Sequence, residues 1–190
     1  AFQVNSYIEL FEFAKLFLWC PPPPTNGVGI IGPSSGAINL IRSTLAKTPM
    51  KLAHLEPDHQ TLIFESIGGS TKEKGNPIDY WPPPEFIGQQ VCQVYFTGSK
   101  LLLKDSNVGI LILALEFFSE IEFNFNIFEV IRQKFPNKPI IVVLIQAEEE
   151  GAKRIISLAT SLKIPVFNNE VERAVHGLKL LLEYATIKKN

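Results

Sequence analysis

The sequence predicts an α/β fold with a parallel sheet of about five strands and helices on both of its faces. Short apolar segments alternate with longer amphipathic ones along most of the 190 residues, as they do in βαβ units. Two apolar segments, Val108–Leu115 and Ile140–Ile145, contain no charged residue, which is typical of strands covered by helices on both sides. Sheets of this class bind ligands beyond the carboxyl ends of their strands.

The helices are predicted from apolar spacing and from their start and stop signals. Ser6 is a suitable N-cap for the first helix, Pro57 fits the first turn of the third, and Pro136 ends the fifth. The predicted helices are Tyr7–Leu18, Gly36–Ala46, Pro57–Ile67, Glu85–Leu103, Asn124–Phe135, Glu148–Leu162 and Glu170–Ala185.

Short apolar runs between these helices predict the strands. They are Val28–Ile31, Met50–Leu55, Val108–Leu115, Ile140–Ile145 and Pro165–Phe167. The polar, Gly/Pro-rich stretch Gly68–Pro84 predicts a functional or interface loop. We therefore divide the chain into an N-terminal helix with a proline-rich connector (residues 1–24) and a single domain (residues 25–190).

Composition excludes several classes of partner. With 18 Lys and Arg against 19 Asp and Glu, the net charge is −1, so we expect no nucleic-acid or membrane partner. No signal peptide is visible, and we expect a cytoplasmic protein. Cys20 and Cys92 lie far apart and are predicted to be buried thiols. The three histidines do not cluster with them at zinc spacing, so no metal site is expected.

The turn Gly32–Gly36 is the most informative segment. A short apolar strand breaks into small residues, and these open a helix. Unpaired N–H groups and the positive end of the helix dipole make such a turn suitable for an anion. The turn contains no acid, base or metal ligand, so we predict no catalytic residue in it.

The same turn also matches the G-x-S-x-G pattern of serine hydrolases, with Ser34 as nucleophile. Asp79 and His176 follow it in the hydrolase order. That fold has several strands before the nucleophile, whereas here one helix and a proline run precede it. His176 also fits the apolar periodicity of its own helix. A hydrolase is therefore the weaker alternative.

Three other clusters have both a structural and a functional interpretation. Glu148–Glu150 is either an acidic cluster or, as we favour, a solvated helix start. Asp58 with His59 is either a helix start or an acid–base pair. Asn76-Pro77-Ile78-Asp79 is either a rigid loop closure or a loop near the site, with Asn76 and Asp79 as its polar members.

Several segments, taken in order, resemble the ligase-type domain of NDP-forming acyl-CoA synthetases, relatives of succinyl-CoA synthetase. Val28–Gly36 is similar to the family's VAIVTNSGG, and Asn76–Asp79 resembles its NPVDL loop. Lys163–Phe167 with Glu172–Val175 is similar to its GIPVY…PERAV ending, and Glu9–Leu16 to its leading helix. The matches span almost the whole chain. They imply a flavodoxin-like fold.

The resemblance also implies a function. In that family a phosphohistidine carries phosphoryl groups between an acyl-CoA site and a nucleotide site, and helix N-termini hold the phosphate. It therefore makes Ser34, Ser35 and Gly36 the candidate phosphate ligands. ATP or ADP and CoA are implied for a complete enzyme, and other synthetase domains or subunits are the implied partners.

The chain departs from the family pattern in two ways. Gly32 and Pro33 stand where the family has Thr and Asn, and Ser35 replaces a glycine. No histidine lies in the family's phosphohistidine context, and neither a CoA-binding nor an ATP-grasp domain is recognisable. We therefore expect a chain that is not active alone. The alternative is a non-catalytic interaction module of the same fold.

Overall fold

A computed structural model of the chain describes residues 2–67, 75–80, 89–116 and 123–189. The helices are α1 (Tyr7–Trp19), α2 (Ser35–Leu45), α3 (Pro57–Ile67), α4 (Gln89–Lys104), α5 (Ile127–Lys134), α6 (Glu149–Ser161) and α7 (Val171–Lys189). The strands are β1 (Gly27–Gly32), β2 (Lys51–Leu52), β3 (Ile78–Asp79), β4 (Ile110–Leu115), β5 (Ile140–Leu144) and β6 (Val166–Asn168). No helix in the described ranges is both long and apolar enough to cross a bilayer.

All strand pairs in the sheet are parallel. The order is β2-β1-β4-β5-β6, and β3 also pairs with β1. With β3 set aside, this order reads 2-1-3-4-5, which is that of flavodoxin-like folds. The predicted α/β class, parallel sheet and flavodoxin-like arrangement are confirmed.

Helices cover both faces of the sheet because its central strands alternate their side chains between two apolar layers. Ile110, Ile112 and Ala114 of β4 face a layer with α1, α2 and α7. Leu111, Leu113 and Leu115 face a second layer with α3, α4, α5 and α6. Burial on both faces explains why the β4 and β5 segments are continuously apolar.

One side of β1 is shared by two strands of two residues each. β2 pairs with Gly27 and Val28, and β3 pairs with Ile31 and Gly32. Between β2 and β3, the side chain of Asn76 takes the place of a backbone strand as the hydrogen-bond partner of β1. Its Oδ1 accepts from Ile30 N–H (3.0 Å), and its Nδ2 donates to the carbonyls of Val28 and Ala53 (both 2.9 Å).

This bridge corrects the strand predicted at Met50–Leu55. The strand is limited to Lys51–Leu52, and the Asn76 amide takes over the hydrogen bonds further along. β3 was not predicted as a strand. Of the predicted loop Gly68–Pro84, residues 68–74 and 81–84 lie outside the described residues. So do residues 85–88 of the helix predicted at Glu85–Leu103.

The N-terminal helix α1 packs on α7. Ser6 caps it as predicted, with its Oγ accepting from Glu9 N–H at 3.1 Å. Glu9 lies 3.1 Å from His176 Nδ1, and Arg173 donates to Glu12 at 2.9 Å. A Cβ at Gly177 would lie 2.9 Å from Leu16, so the close approach of the two helices depends on that glycine.

Candidate functional site

The candidate site lies where β1, β3 and β4 end together at the carboxyl edge of the sheet. Gly32 pairs with Asp79 at the end of β1 and β3, and Glu116 directly follows the last residue of β4. After Gly32 the chain turns into α2, whose N-cap is Ser34. Three strand ends therefore place two hydroxyls and two carboxylates around one helix N-terminus.

The hydroxyl of Ser34 makes two hydrogen bonds. Its Oγ accepts from Ala37 N–H at 3.1 Å, which is the N-cap bond of α2, and donates to Glu116 Oε1 at 2.8 Å. A hydroxyl has one proton to donate. While it is bound to Glu116, Ser34 therefore offers a phosphate no O–H.

Ser35 is held in a similar way by the other carboxylate. Its Oγ donates to Asp79 Oδ2 at 2.6 Å, a length typical of a hydrogen bond to a charged acceptor. Asp79 is 8% exposed and is fixed by the pairing of β3 with β1. The first turn of α2 contains no acidic residue, so these carboxylates supply negative charge to its N-terminus from other elements.

Gly36 is the open position of the turn. It is exposed, and a Cβ there would contact only Ser34 Oγ, at 3.8 Å. Its N–H belongs to the first helical turn and has no hydrogen-bond acceptor among the described residues.

Tyr95 of α4 lies near Glu116 at the end of β4. Its hydroxyl donates to the carbonyl of Ala114, next to the end of β4. Burial raises the pKa of this phenol well above its ordinary value, and the charge of Glu116 raises it further. Tyr95 therefore stays protonated at neutral pH and anchors the strand that carries Glu116.

The structure brings together most of the residues that the sequence singled out. Ser34, Ser35, Gly36 and Asp79 meet at the carboxyl edge. Asn76 instead holds the middle of β1, which is the structural interpretation of its loop. Sequence reasoning missed Glu116, although its place directly after a buried strand was a usable signal. The phosphate-binding role of the turn stays a prediction.

The hydrolase triad is not assembled. The hydroxyl of Ser34 donates to Glu116, and Asp79 accepts from Ser35. His176 lies on α7, where it contacts Glu9 and packs edge-on against the ring of Phe13 at 5.4 Å. The three residues thus have different partners on different elements.

A second polar cluster lies at the amino edge of the sheet, around Asp105. This carboxylate is fully buried and accepts from Glu56 N–H (2.8 Å), Asn107 N–H (2.8 Å) and His59 Nδ1 (2.9 Å). Burial raises the pKa of Asp105, but hydrogen bonds from His59 and the two N–H groups outweigh it and hold the pKa below its usual range. His59 therefore pairs with Asp105 rather than with Asp58.

A cleft of about 430 Å³ opens at the same amino edge. Trp19 and Cys20 line it beside Arg132 and Lys138. Both basic groups are engaged with backbone: Arg132 donates to the carbonyl of Leu162, and Lys138 to those of Leu103 and Asp105. The two side chains thus bind carbonyl groups at the C-terminal ends of α4 and α6. The cleft lies at the opposite edge of the sheet from the Ser34 turn.

The cysteines and the other acidic residues have structural surroundings. Cys20 is buried, which raises its pKa to about 12, whereas Cys92 is only half-buried and so departs from its predicted burial. Glu149 pairs with Lys153 one turn along α6. Within the described ranges, no three His, Cys, Asp or Glu side chains group as metal ligands.

Comparisons with known proteins find solved structures that share this architecture. No protein-family model and no curated protein matches the chain. PH0766 from Pyrococcus horikoshii OT3 superposes on 96% of the chain with a TM-score of 0.79 and 24% identity. Dinucleotide-forming acetyl-coenzyme A synthetase 1 of Ca. Korarchaeum cryptofilum, in complex with phosphate and ADP, superposes on 97% with a TM-score of 0.72 and 20% identity.

The apo form of that synthetase superposes on 98% of the chain, with a TM-score of 0.69 and 17% identity. This chain covers 41%, 38% and 41% of the three solved chains, so it spans about two fifths of their length. At these identities the similarity establishes the fold. The chain thus has the fold that the resemblance to the ligase-type domain of acyl-CoA synthetases implied, shared over nearly its whole length with a part of solved acetyl-coenzyme A synthetase structures.

Proposed function

We propose that the chain is a domain or subunit of an NDP-forming acyl-CoA synthetase system and is not active alone. The observation that supports this proposal is the extent of the fold match: 96–98% of the chain superposes on a part of three larger solved chains, and two of these are structures of one acetyl-coenzyme A synthetase. In this role it supplies an assembly surface to the remaining domains. The carboxyl edge of the sheet is the part nearest the chemistry.

Within this proposal, the N-terminus of α2 faces a phosphate carried by a partner domain. The exposed Gly36 N–H and the helix dipole favour an anion there. The hydroxyls of Ser34 and Ser35 can join as donors if they turn away from Glu116 and Asp79. Phosphoryl transfer itself requires a group that this chain does not recognisably contain, and the partner supplies it.

The test is reconstitution with the acyl-CoA synthetase subunits of the same source organism, purified separately. We expect ATP formation from acetyl-CoA, ADP and phosphate to require both the subunits and this chain. A luciferase assay measures the ATP, and each component alone is the control. No complex in sedimentation velocity, together with no gain of activity, would refute the proposal.

A second candidate function is favoured by the two carboxylates. A helix N-terminus stabilises an anion by about 0.3–1 kcal/mol. Two unit charges 4 Å apart repel by about 1 kcal/mol in water and about 4 kcal/mol near a protein surface. In this second function the repulsion from Asp79 and Glu116 outweighs the dipole, and the chain acts as an interaction module whose helix N-terminus is satisfied from within.

Phosphate titration separates the two functions. Isothermal titration calorimetry with inorganic phosphate should give a saturable heat if the turn still serves as a phosphate site. Sulfate is a control for general anion binding. A chain that assembles with synthetase subunits but gives no phosphate heat, alone or in the complex, is the interaction module.

A further inference from the structure

The cleft at the amino edge of the sheet concentrates positive charge. Three basic side chains and one carboxylate line it, namely Arg132, Lys138, Lys163 and Glu129. The lining therefore carries a net charge of +2, whereas the whole chain carries −1. We propose that this cleft is a binding site for a small organic phosphate, whose phosphate group lies on the basic side chains and whose apolar body lies beside Trp19.

The cleft is built where the ends of α1 and α6 meet the segment that runs from α5 to β5. The thiol of Cys20, directly after α1, donates to the carbonyl of Ile140 at the start of β5, at 3.8 Å. Arg132 of α5 donates to the carbonyl of Leu162, directly after α6. These contacts join the three walls, so the cleft is a fixed part of the folded domain.

The three basic side chains have no carboxylate partner of their own. None of them forms an ion pair with a described residue, whereas Lys153 on α6 pairs with Glu149. Arg132 and Lys138 are bound to backbone carbonyls, which hold the side chains in place without neutralising their charge. Lys163 is exposed, and its ammonium has no hydrogen-bond partner in the described part of the chain. These cations are therefore positioned and still available to an anion.

Lys138 shows what the missing counter-charge costs. Burial lowers the pKa of its ammonium, and the charge of Asp105 compensates only in part. The carboxylate oxygens of Asp105 are taken by Glu56 N–H, Asn107 N–H and His59. An anion in the cleft would supply the charge that the buried ammonium lacks.

The size and chemistry of the lining favour a phosphate with an organic body. A guanidinium presents five N–H donors in a fork that matches phosphate, and only Nη1 of Arg132 is bound to a described residue. A dianionic phosphate also balances the net charge of the lining. The volume of about 430 Å³ is that of a small-molecule site and exceeds what inorganic phosphate fills. Trp19, Pro21 and Pro136 supply apolar lining for the rest of the ligand.

Calorimetric titration of the full 190-residue chain with phenyl phosphate at neutral pH and low salt tests the proposal. We expect saturable heat at one site per chain. Inorganic phosphate lacks the ring and should bind at least about fivefold more weakly. Phenol lacks the charge and should give no saturable heat. The site does not depend on the synthetase proposal, because this test contains no other subunit.

Lys163→Glu reverses one charge of the lining and should weaken phenyl phosphate binding at least about tenfold. Lys47→Glu is the matched control, because Lys47 is also exposed but does not line the cleft. Its effect should be less than about twofold. Arg132→Gln is a second variant with the same expected direction as Lys163→Glu. Circular dichroism melting curves verify that each variant folds.

Amide chemical shifts then locate the ligand. Phenyl phosphate should move the signals of Leu162 and Lys163 and leave that of Gly36, at the N-terminus of α2, in place. The proposal is overturned if phenyl phosphate gives no saturable heat, or if Lys163→Glu weakens binding no more than Lys47→Glu does. It is also overturned if the Gly36 signal moves instead, because the phosphate then binds at the turn that the proposed function requires. The two proposals can therefore fail separately.

Discussion

The carboxylates of Asp105 and Glu116, at opposite edges of the sheet, are held in contrasting ways. At the amino edge, Asp105 is fully buried and accepts from two backbone N–H groups and from His59. At the carboxyl edge, Glu116 is partly exposed and accepts from the hydroxyl of Ser34. The same chemical group is thus part of the scaffold at one edge and replaceable at the other.

The difference lies in what each donor loses if the carboxylate is removed. The backbone N–H groups of Glu56 and Asn107 cannot reorient, so removal of the Asp105 carboxylate leaves these part-buried donors without their acceptor. A serine hydroxyl rotates and finds water or another acceptor. Stability should therefore depend strongly on the amino edge, and ligand affinity on the carboxyl edge.

The largest expected effect is that of Asp105→Ala. The substitution removes a fully buried carboxylate and leaves Glu56 N–H, Asn107 N–H and His59 without their acceptor. We expect the free energy of unfolding to fall by about 3 kcal/mol. Urea denaturation at pH 7 measures it. A loss below about 1 kcal/mol would mean that Asp105 is not a scaffold residue.

The pH dependence of the isosteric Asp105→Asn variant provides the control. The folded-state pKa of Asp105 is depressed, so its stabilisation is complete above the unfolded pKa of about 3.9 and is lost as pH falls through the folded pKa. The stability difference between wild type and Asp105→Asn should therefore shrink below about pH 4. A difference that stays constant between pH 7 and pH 3 would contradict this.

Asn76→Ala should have the next largest effect. It removes three hydrogen bonds that join β1 to the segment after β2, and we expect about 2 kcal/mol less stability. Asn76→Asp keeps the acceptor for Ile30 N–H but loses both donors, so its cost should be comparable. Amide hydrogen exchange at Ile30 should accelerate in the alanine variant. Unchanged exchange would show that another group replaces the side chain.

Ser34→Ala should cost about 1 kcal/mol, the usual loss for an N-cap hydroxyl. The substitution removes the acceptor for Ala37 N–H and the donor to Glu116. Thermal unfolding measures the change, and Ser43→Ala, at an exposed position of the same helix, is the matched control. Equal melting temperatures for the two variants would show that the cap contributes nothing.

The contrast also explains which features could be predicted from the sequence. The β1 and β4 segments, the cap at Ser6 and the turn at Ser34 depend on neighbouring residues, and local patterns predicted them. β3 is two residues long, and its pairing with β1 spans more than forty positions, so no local periodicity reveals it. Likewise, the bond between Ser34 and Glu116 joins residues 82 positions apart.

The smallest effect on stability, and the most informative for function, is expected from Glu116→Gln. The amide still accepts from Ser34, so the free energy of unfolding should change by less than about 0.5 kcal/mol. Removing one negative charge lowers the repulsion felt by an anion at the N-terminus of α2. At about 1–4 kcal/mol for a near contact, this corresponds to an affinity gain between about fivefold and about a thousandfold. Calorimetric titration with inorganic phosphate measures this affinity, with Glu150→Gln on α6 as the control for net charge.

If Glu116→Gln gains phosphate affinity and Glu150→Gln does not, the Glu116 carboxylate is what keeps phosphate from the turn, and the interaction module is the better account of this chain. If neither gains while the wild type already binds phosphate, Glu116 moves aside for the ligand, and the phosphate-holding role within a synthetase stands.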